Sequence, residues 1–333
     1  MATPRDQKPE AVESFDQISL PRAGTKQRGI LRFSNPALSD WSWPYTVIRG
    51  AEDGPRLALI SGVHPAEYPA IEANIRITRD LDPVRLKGTV VSMPIVDMPA
   101  FLPRTPFVCP IDNKNPNRFF PGDPNGTFTD AMTDAIFRAV IQPADALIDL
   151  HGGDMVEALV PFSIYVASGN SEVEQQAIAL ARAVGLPYLI RQQPQTGAIG
   201  GTTAHAAAAA GIPGIIAEAG GVGQLTEPET VLLVQGVENA LRHLGMLTGP
   251  VQQQREPIMI ERFTWLTSPT EGLWYPAVAV GDHVDQDQII GCIGSIYGDT
   301  LANVTTPHAG DILFLTTSPA MRDQGLLLAV GER

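Results

Sequence analysis

The chain has 333 residues, with 23 Lys plus Arg against 36 Asp plus Glu, for a formal charge of −13. That balance argues against a nucleic-acid binder, which needs a basic surface to neutralise phosphates. Hydrophobic residues at 44% and charged ones at 18% exclude a disordered chain.

No run of about 18 apolar residues reads as a membrane-spanning helix. The opening MATPRDQKPE lacks the apolar core of a signal peptide. Cys109 and Cys292 are too few to staple a fold of this size, which fits a reduced, cytoplasmic setting. The expected partner is a small-molecule substrate, with no nucleic acid and no membrane; homo-oligomerisation is left open.

In chain order, residues 1–44 read as a polar, partly ordered arm with poor periodicity. From 45 to 250 strand-like and helix-like segments alternate. Strands are expected at 45–48, 57–63, 89–96, 146–150, 163–167 and 212–217. Helices are expected at 66–79, 130–141 (capped by Thr129), 171–184, 203–210 and 228–246. Between 97 and 126 lies a proline-rich loop, and a long loop inside a compact domain is usually functional. This alternation predicts an α/β domain with a largely parallel or mixed sheet. Short β-prone runs follow at 258–265, 289–296, 312–316 and 326–330, so a boundary is placed near 250–257 and a small all-β module after it.

Three apolar strands end in polar groups that packing does not require: His64 to Glu67, Asp149 to Gly153, and Glu218 to Gly221. Ligand sites of open α/β sheets collect at such carboxyl ends. His64 and Glu67 are three apart, so both can converge on one point where a helix opens. His151 would come from a separate strand. Two imidazoles and a carboxylate are a known ligand set for catalytic zinc. Asp149, two residues before His151, shares its strand face and could fix the imidazole tautomer. Each piece alone has an ordinary reading, since HxxE recurs by chance and a lone strand-end histidine is usually a packed core residue. Together, in this order, they predict one Zn²⁺ per chain.

Glu218 follows an apolar strand and precedes Gly-Gly. One glutamate there can take a proton from water and later give it to a leaving amine. The proline-rich loop adds Asn117 and Arg118, suited to a substrate carboxylate, and Arg104, which could reach a developing oxyanion.

This set resembles the succinylglutamate desuccinylase/aspartoacylase family, a branch of the zinc carboxypeptidase-like fold. The match is His64-Pro65-Ala66-Glu67 to an HGxE-type motif, Asn117-Arg118 within NLNRxFPG, Asp149-Leu150-His151 to DLH, and Glu218-Ala219-Gly220-Gly221 to ExGG. The resemblance implies a mixed sheet flanked by helices over about 45–250. It implies zinc on His64, Glu67 and His151, Glu218 as general base and acid, Asn117 and Arg118 on a substrate carboxylate, and Arg104 on the scissile carbonyl. Pro65, Ala66 and Pro116 depart from the family pattern without removing a functional side chain.

Residues 251–333 resemble a biotinyl/lipoyl-type barrel-sandwich, as in Pro276 to Val284, Gln288 to Gly291 and Pro307 to Ile312. The lysines are Lys8, Lys26, Lys87 and Lys114, so this module cannot carry such a cofactor. A structural or gating role is expected. His283 and His308 read as surface residues, His205 as a helix-surface or packing residue that could instead line the pocket, and His243 as a partner for a helix end. Cys109 lacks a paired base, and 197–201 lacks the context of a nucleotide loop.

The expected activity is a zinc-dependent amidohydrolase, a deacylase acting on an N-acyl amino acid or similar carboxylate-bearing amide. The alternatives are a metallocarboxypeptidase on small peptides, an ester deacylase on the same site, and a non-enzymatic binding protein.

Overall fold

Leu57-Ala58-Leu59-Ile60 is apolar at every position, the pattern of a strand covered on both faces. The computed structural model, which describes residues 11–14, 17–193, 201–252 and 256–333, places it inside a ten-stranded sheet. The strands of the first two-thirds of the chain are β1 (Ala11–Ser14), β2 (Thr25–Arg32), β3 (Trp43–Arg49), β4 (Glu52–Ser61), β5 (Lys87–Met93), β6 (Ala146–His151), β7 (Glu157–Leu159), β8 (Phe162–Val166), β9 (Tyr188–Gln192) and β10 (Gly214–Glu218). With β11 (Ile258–Ile260), the large sheet runs β1-β2-β3-β5-β4-β6-β10-β8-β9-β11. β5, β4, β6 and β10 are mutually parallel, whereas β3 and β8 enter antiparallel.

Side-chain alternation divides the core into two layers. Ala58 and Ile60 pack with Val47, Val91 and Met93 on one face, against Met132 and Ile136. Leu57 and Leu59 join Ile48, Val90, Ile148 and Leu150 on the other, against Ala73, Leu180 and Leu233. The covering helices are α1 (Tyr68–Asp80), α2 (Met98–Phe101), α3 (Phe128–Ile136), α4 (Ser171–Val184), α5 (Thr203–Ala209) and α6 (Glu227–His243). Met132 and Ile136 belong to α3, and Ala73, Leu180 and Leu233 to α1, α4 and α6. Thr127 rather than Thr129 caps α3, because Asp130 completes a capping box with it. Thr129 is buried inside the helix.

The rest forms two antiparallel sheets from β12 (Arg262–Thr267), β13 (Gly272–Pro276), β14 (His283–Val284), β15 (Ile289–Gly294), β16 (Thr300–Thr305), β17 (Gly310–Thr316), β18 (Ala320–Met321) and β19 (Leu326–Glu332). One sheet runs β12-β19-β17-β14 and the other β16-β15-β13-β18.

Several segments differ from their sequence reading. The stretch expected as an arm contributes β2 to the large sheet, paired antiparallel along β3. Its exposed charged residues masked the pattern, and only Gly29 and Leu31 are buried. The run expected at 258–265 is two strands parted at Glu261: β11 joins the large sheet and β12 the C-terminal one. Conversely β7 leaves the neighbourhood of the large sheet and pairs with β17. The two β systems therefore interlock across the expected boundary. Residues 197–200 of the glycine stretch and 253–255 of the expected linker lie outside the described residues.

Candidate active site

Three neighbouring parallel strands deliver the site to one sheet edge. Ser61 at the end of β4 is in register with Leu150 on β6, and His151 is in register with Glu218 on β10. Beyond β4, Gly62 turns the chain at φ +63°, and a Cβ there would lie 2.9 Å from the Ile95 backbone. His64 follows, and Glu67 stands at the cap position of α1. Pro69 in the first turn of α1 lacks an N–H, which removes one donor a capping side chain would serve. The Glu67 carboxylate makes no cap and turns to the site instead.

The Glu67 carboxylate lies between two imidazoles. Oε1 is 2.8 Å from His64 Nδ1, and Oε2 is 2.9 Å from His151 Nδ1. The Gly152 N–H also donates to Oε2 at 3.1 Å. The outer nitrogens are engaged too: His64 Nε2 contacts Asn115 Oδ1 at 3.0 Å, and His151 Nε2 contacts Asp149 Oδ2 at 3.0 Å. Thr203 Oγ1 donates to the same Asp149 oxygen. One ligand atom from each of His64, Glu67 and His151 lies within 4.8 Å of the others.

This donor set fits a cation. With oxygen at both nitrogens of each ring, the surroundings favour positive charge at the cluster, where a divalent ion would supply it. Burial works against charging the rings, but Glu67 beside His64, and Asp149 with Glu67 beside His151, raise both pKa values. Burial likewise works against the Glu67 carboxylate, yet the two imidazoles hold it down at about 2. Acceptors on both Nε2 atoms are the outer-shell arrangement of metal-bound imidazoles, leaving Nδ1 for the ion.

Glu218 borders a cavity of about 470 Å³ that also contains His64, Glu67 and His151. Burial, with Glu67, Glu157 and Asp149 nearby, lifts its pKa well above the carboxylate range, while His151 opposes. Asn117 and Arg118 line the same cavity, on the 3₁₀ turn Pro116–Arg118. Arg118 Nη1 donates to the Asn117 carbonyl at 2.7 Å. Burial lowers the Arg118 pKa, and Glu157 and Glu218 pull it back up. The fold does not bring Arg104 into this group. It lies exposed on the loop after α2, with φ 58°, and is not among the residues lining the cavity.

Sequence reasoning left three contributors without a role. Asn115 was legible only as part of the Asn-Pro-Asn run, yet it orients His64. Glu157 lies four residues past Gly153, and its only signal was an acid close after a Gly-Gly pair. The third is an aromatic wall from the C-terminal sheet. Trp265 meets Phe263 and Phe314 edge-on, with ring centroids 4.8 and 5.1 Å apart. Alternation at Phe263 and Trp265 marked a strand face without saying what it covers.

The remaining histidines divide. His205 packs on α5, its Nδ1 2.7 Å from Thr202 Oγ1, and His243 is exposed in the last turn of α6. His283 is 60% exposed and pairs with Asp311. His308, expected on the surface, is buried instead, because Thr264 Oγ1 and the Ala309 carbonyl satisfy its ring. Among the described residues no helix is long and apolar enough to cross a membrane.

Residues 53–244 match the model of the succinylglutamate desuccinylase/aspartoacylase catalytic domain. The N-alpha-acetyl-L-2,4-diaminobutyric acid deacetylase of Halomonas elongata is 30% identical over 295 residues, covering 86% of this chain and 84% of that protein. Among solved structures, the product-bound ectoine utilization protein EutE (DoeB) of Ruegeria pomeroyi superposes with a TM-score of 0.85 at 23% identity, covering 95% of this chain and 98% of that one. A succinylglutamate desuccinylase/aspartoacylase from Rhodobacter sphaeroides gives 0.81 at 25% identity, covering 95% and 97%. The match spans His64, Glu67, His151 and Glu218 and most of the sheet that positions them, and the chain belongs to the succinylglutamate desuccinylase/aspartoacylase family.

Proposed function

We propose that this protein is a zinc-dependent amidohydrolase, holding one Zn²⁺ on His64, Glu67 and His151 and cleaving the amide of an N-acyl amino acid. The observation that carries this reading is the register of Glu218 against His151, which brings a carboxyl group able to exchange a proton beside the His64, Glu67 and His151 cluster. The name of the Halomonas relative makes an N-acetylated diamino acid the first substrate to test.

A zinc ion in this donor set would supply Lewis-acid activation of water and of the scissile carbonyl. The chain's own groups do the rest. Arg118 and Asn117 hold the substrate carboxylate and so fix the amide before Glu218. Glu218 takes one proton from the attacking water at its carboxylate. The hydroxide oxygen bonds to the acyl carbon, and the C–N bond breaks. Glu218 passes its proton to the departing nitrogen, giving a free acid and a free amine. Phe263, Trp265 and Phe314 give the cavity an apolar flank against which the substrate packs.

The test is metal content of purified protein together with amine release from N-acetyl amino acids. About one zinc per chain and chelator-sensitive release are expected. Glu218→Gln should keep its zinc and lose about 10²–10⁴ in kcat. A protein that takes up no zinc on reconstitution, or a Glu218→Gln variant with full turnover, would sink the proposal.

A further inference from the structure

Glu157 is a pocket acid to which hydrolysis gives no task. The fold nonetheless fixes it firmly. A Cβ added to Gly153 would lie 2.2 Å from the Glu157 carbonyl oxygen, and one added to Gly221 also 2.2 Å from it. The second glycine of each Gly-Gly pair is thus required by the close passage of Glu157. The Val222 N–H donates to that carbonyl at 2.9 Å, and Thr316 on β17 is the register partner of Glu157.

The side chain is only half used. Oε2 accepts from the Asp154 N–H at 3.0 Å, and among the described residues nothing donates to Oε1. Arg118 is near enough to feel Glu157 and Glu218, but among the described residues it forms an ion pair with neither. Once a substrate carboxylate occupies the Arg118 guanidinium, little positive charge is left to favour ionising Glu157, and a buried carboxylate is costly to charge alone. A second, cationic group on the substrate restores the balance. Glu261 also lines the cavity, but it is exposed and its field is screened by water.

We propose that Glu157 is the specificity-determining residue for the amine half of the substrate, receiving the side-chain ammonium of an N-acylated diamino acid through its free oxygen Oε1. The inference rests on the amidohydrolase reading above. Burial pushes the empty-pocket Glu157 carboxyl up to about 8, as expected of a group whose cation arrives with the ligand.

Two measurements test it. The first compares kcat/KM of zinc-loaded enzyme for N-α-acetyl-2,4-diaminobutyrate and for N-acetyl-2-aminobutyrate, which lacks the second amine. The second compares calorimetric binding of the two deacetylated amino acids to metal-free protein. Wild type should favour the ammonium-bearing ligand tenfold or more in both, the kinetic effect falling mainly on KM. Glu157→Gln should erase the preference in both measurements, and Glu157→Asp should restore part of it. A preference that survives in Glu157→Gln, or is absent from wild type in both measurements, overturns the inference. Turnover of neither substrate by zinc-loaded wild type would sink the hydrolase reading instead, and the binding comparison would still judge Glu157.

Discussion

Asn115 and His64 lie 51 residues apart in sequence, yet Asn115 Oδ1 stands 3.0 Å from His64 Nε2. The same oxygen accepts the Asn117 N–H at 2.9 Å, so one amide group ties a metal-ligand candidate to the turn carrying Arg118. Asn115→Ala should therefore weaken zinc binding about 10- to 100-fold and raise KM, the first read by competition with a chelating dye. Unchanged zinc affinity would show that His64 needs no outer partner.

Arg104 gives the opposite expectation. Its exposed position, away from the cavity, leaves it nothing to polarise. Arg104→Ala should keep kcat and KM within about twofold of wild type, because surface changes away from a site are nearly neutral. A loss of 100-fold or more in kcat would show that the loop closes over substrate and brings the guanidinium in.

Asp97 makes stability depend on pH. Burial raises its carboxyl to about 6, against the opposing Ala100 N–H at the start of α2. The folded state holds this proton more tightly than the unfolded chain. Its contribution is thus greatest below about pH 4 and is lost as pH rises through about 6. Asp97→Asn removes that slope. On metal-free protein, the variant should gain about 2 kcal/mol on wild type between pH 4.5 and 8. Thermal melts at the two pH values would read this as a Tm difference that widens by several degrees. A constant difference would place the Asp97 pKa near its ordinary value.

Cys109 should be chemically silent. Burial, with Asp97 beside it, pushes the thiol up to about 12, and the residue is fully buried. At pH 8 the folded protein should take iodoacetamide at Cys292, which is half-buried, and at Cys109 only after denaturation. Peptide mass spectrometry of the alkylated protein distinguishes the two. Rapid native labelling of Cys109 would mean that its loop opens readily.

Residues at the ends of continuous apolar strands were the legible part of this site. His64, Glu67, His151 and Glu218 each follow such a run, and parallel neighbours must release their chains at one edge. Arg104 illustrates what a sequence conceals, since spacing along a proline-rich loop does not say which arginine turns inward. β2 illustrates another limit: one face of an edge-proximal strand is solvated, so charges interrupt the apolar pattern. β7 was illegible for a third reason. Three residues whose partner lies about 150 positions away leave no local period to read.

The pairing of β7 with β17 also bears on when the protein becomes complete during synthesis. Leu159 meets Phe314, and Thr316 meets Glu157, so the partners of this pocket wall are translated about 150 residues after it. Leu326, which lines the cavity, comes later still. A ribosome making roughly 5–20 residues per second exposes the strand ends of β4, β6 and β10 well before their outer wall exists. His64, Glu67, His151 and Glu218 therefore emerge together early, while the cavity beside them gains its outer wall only when β17 and β19 have been made.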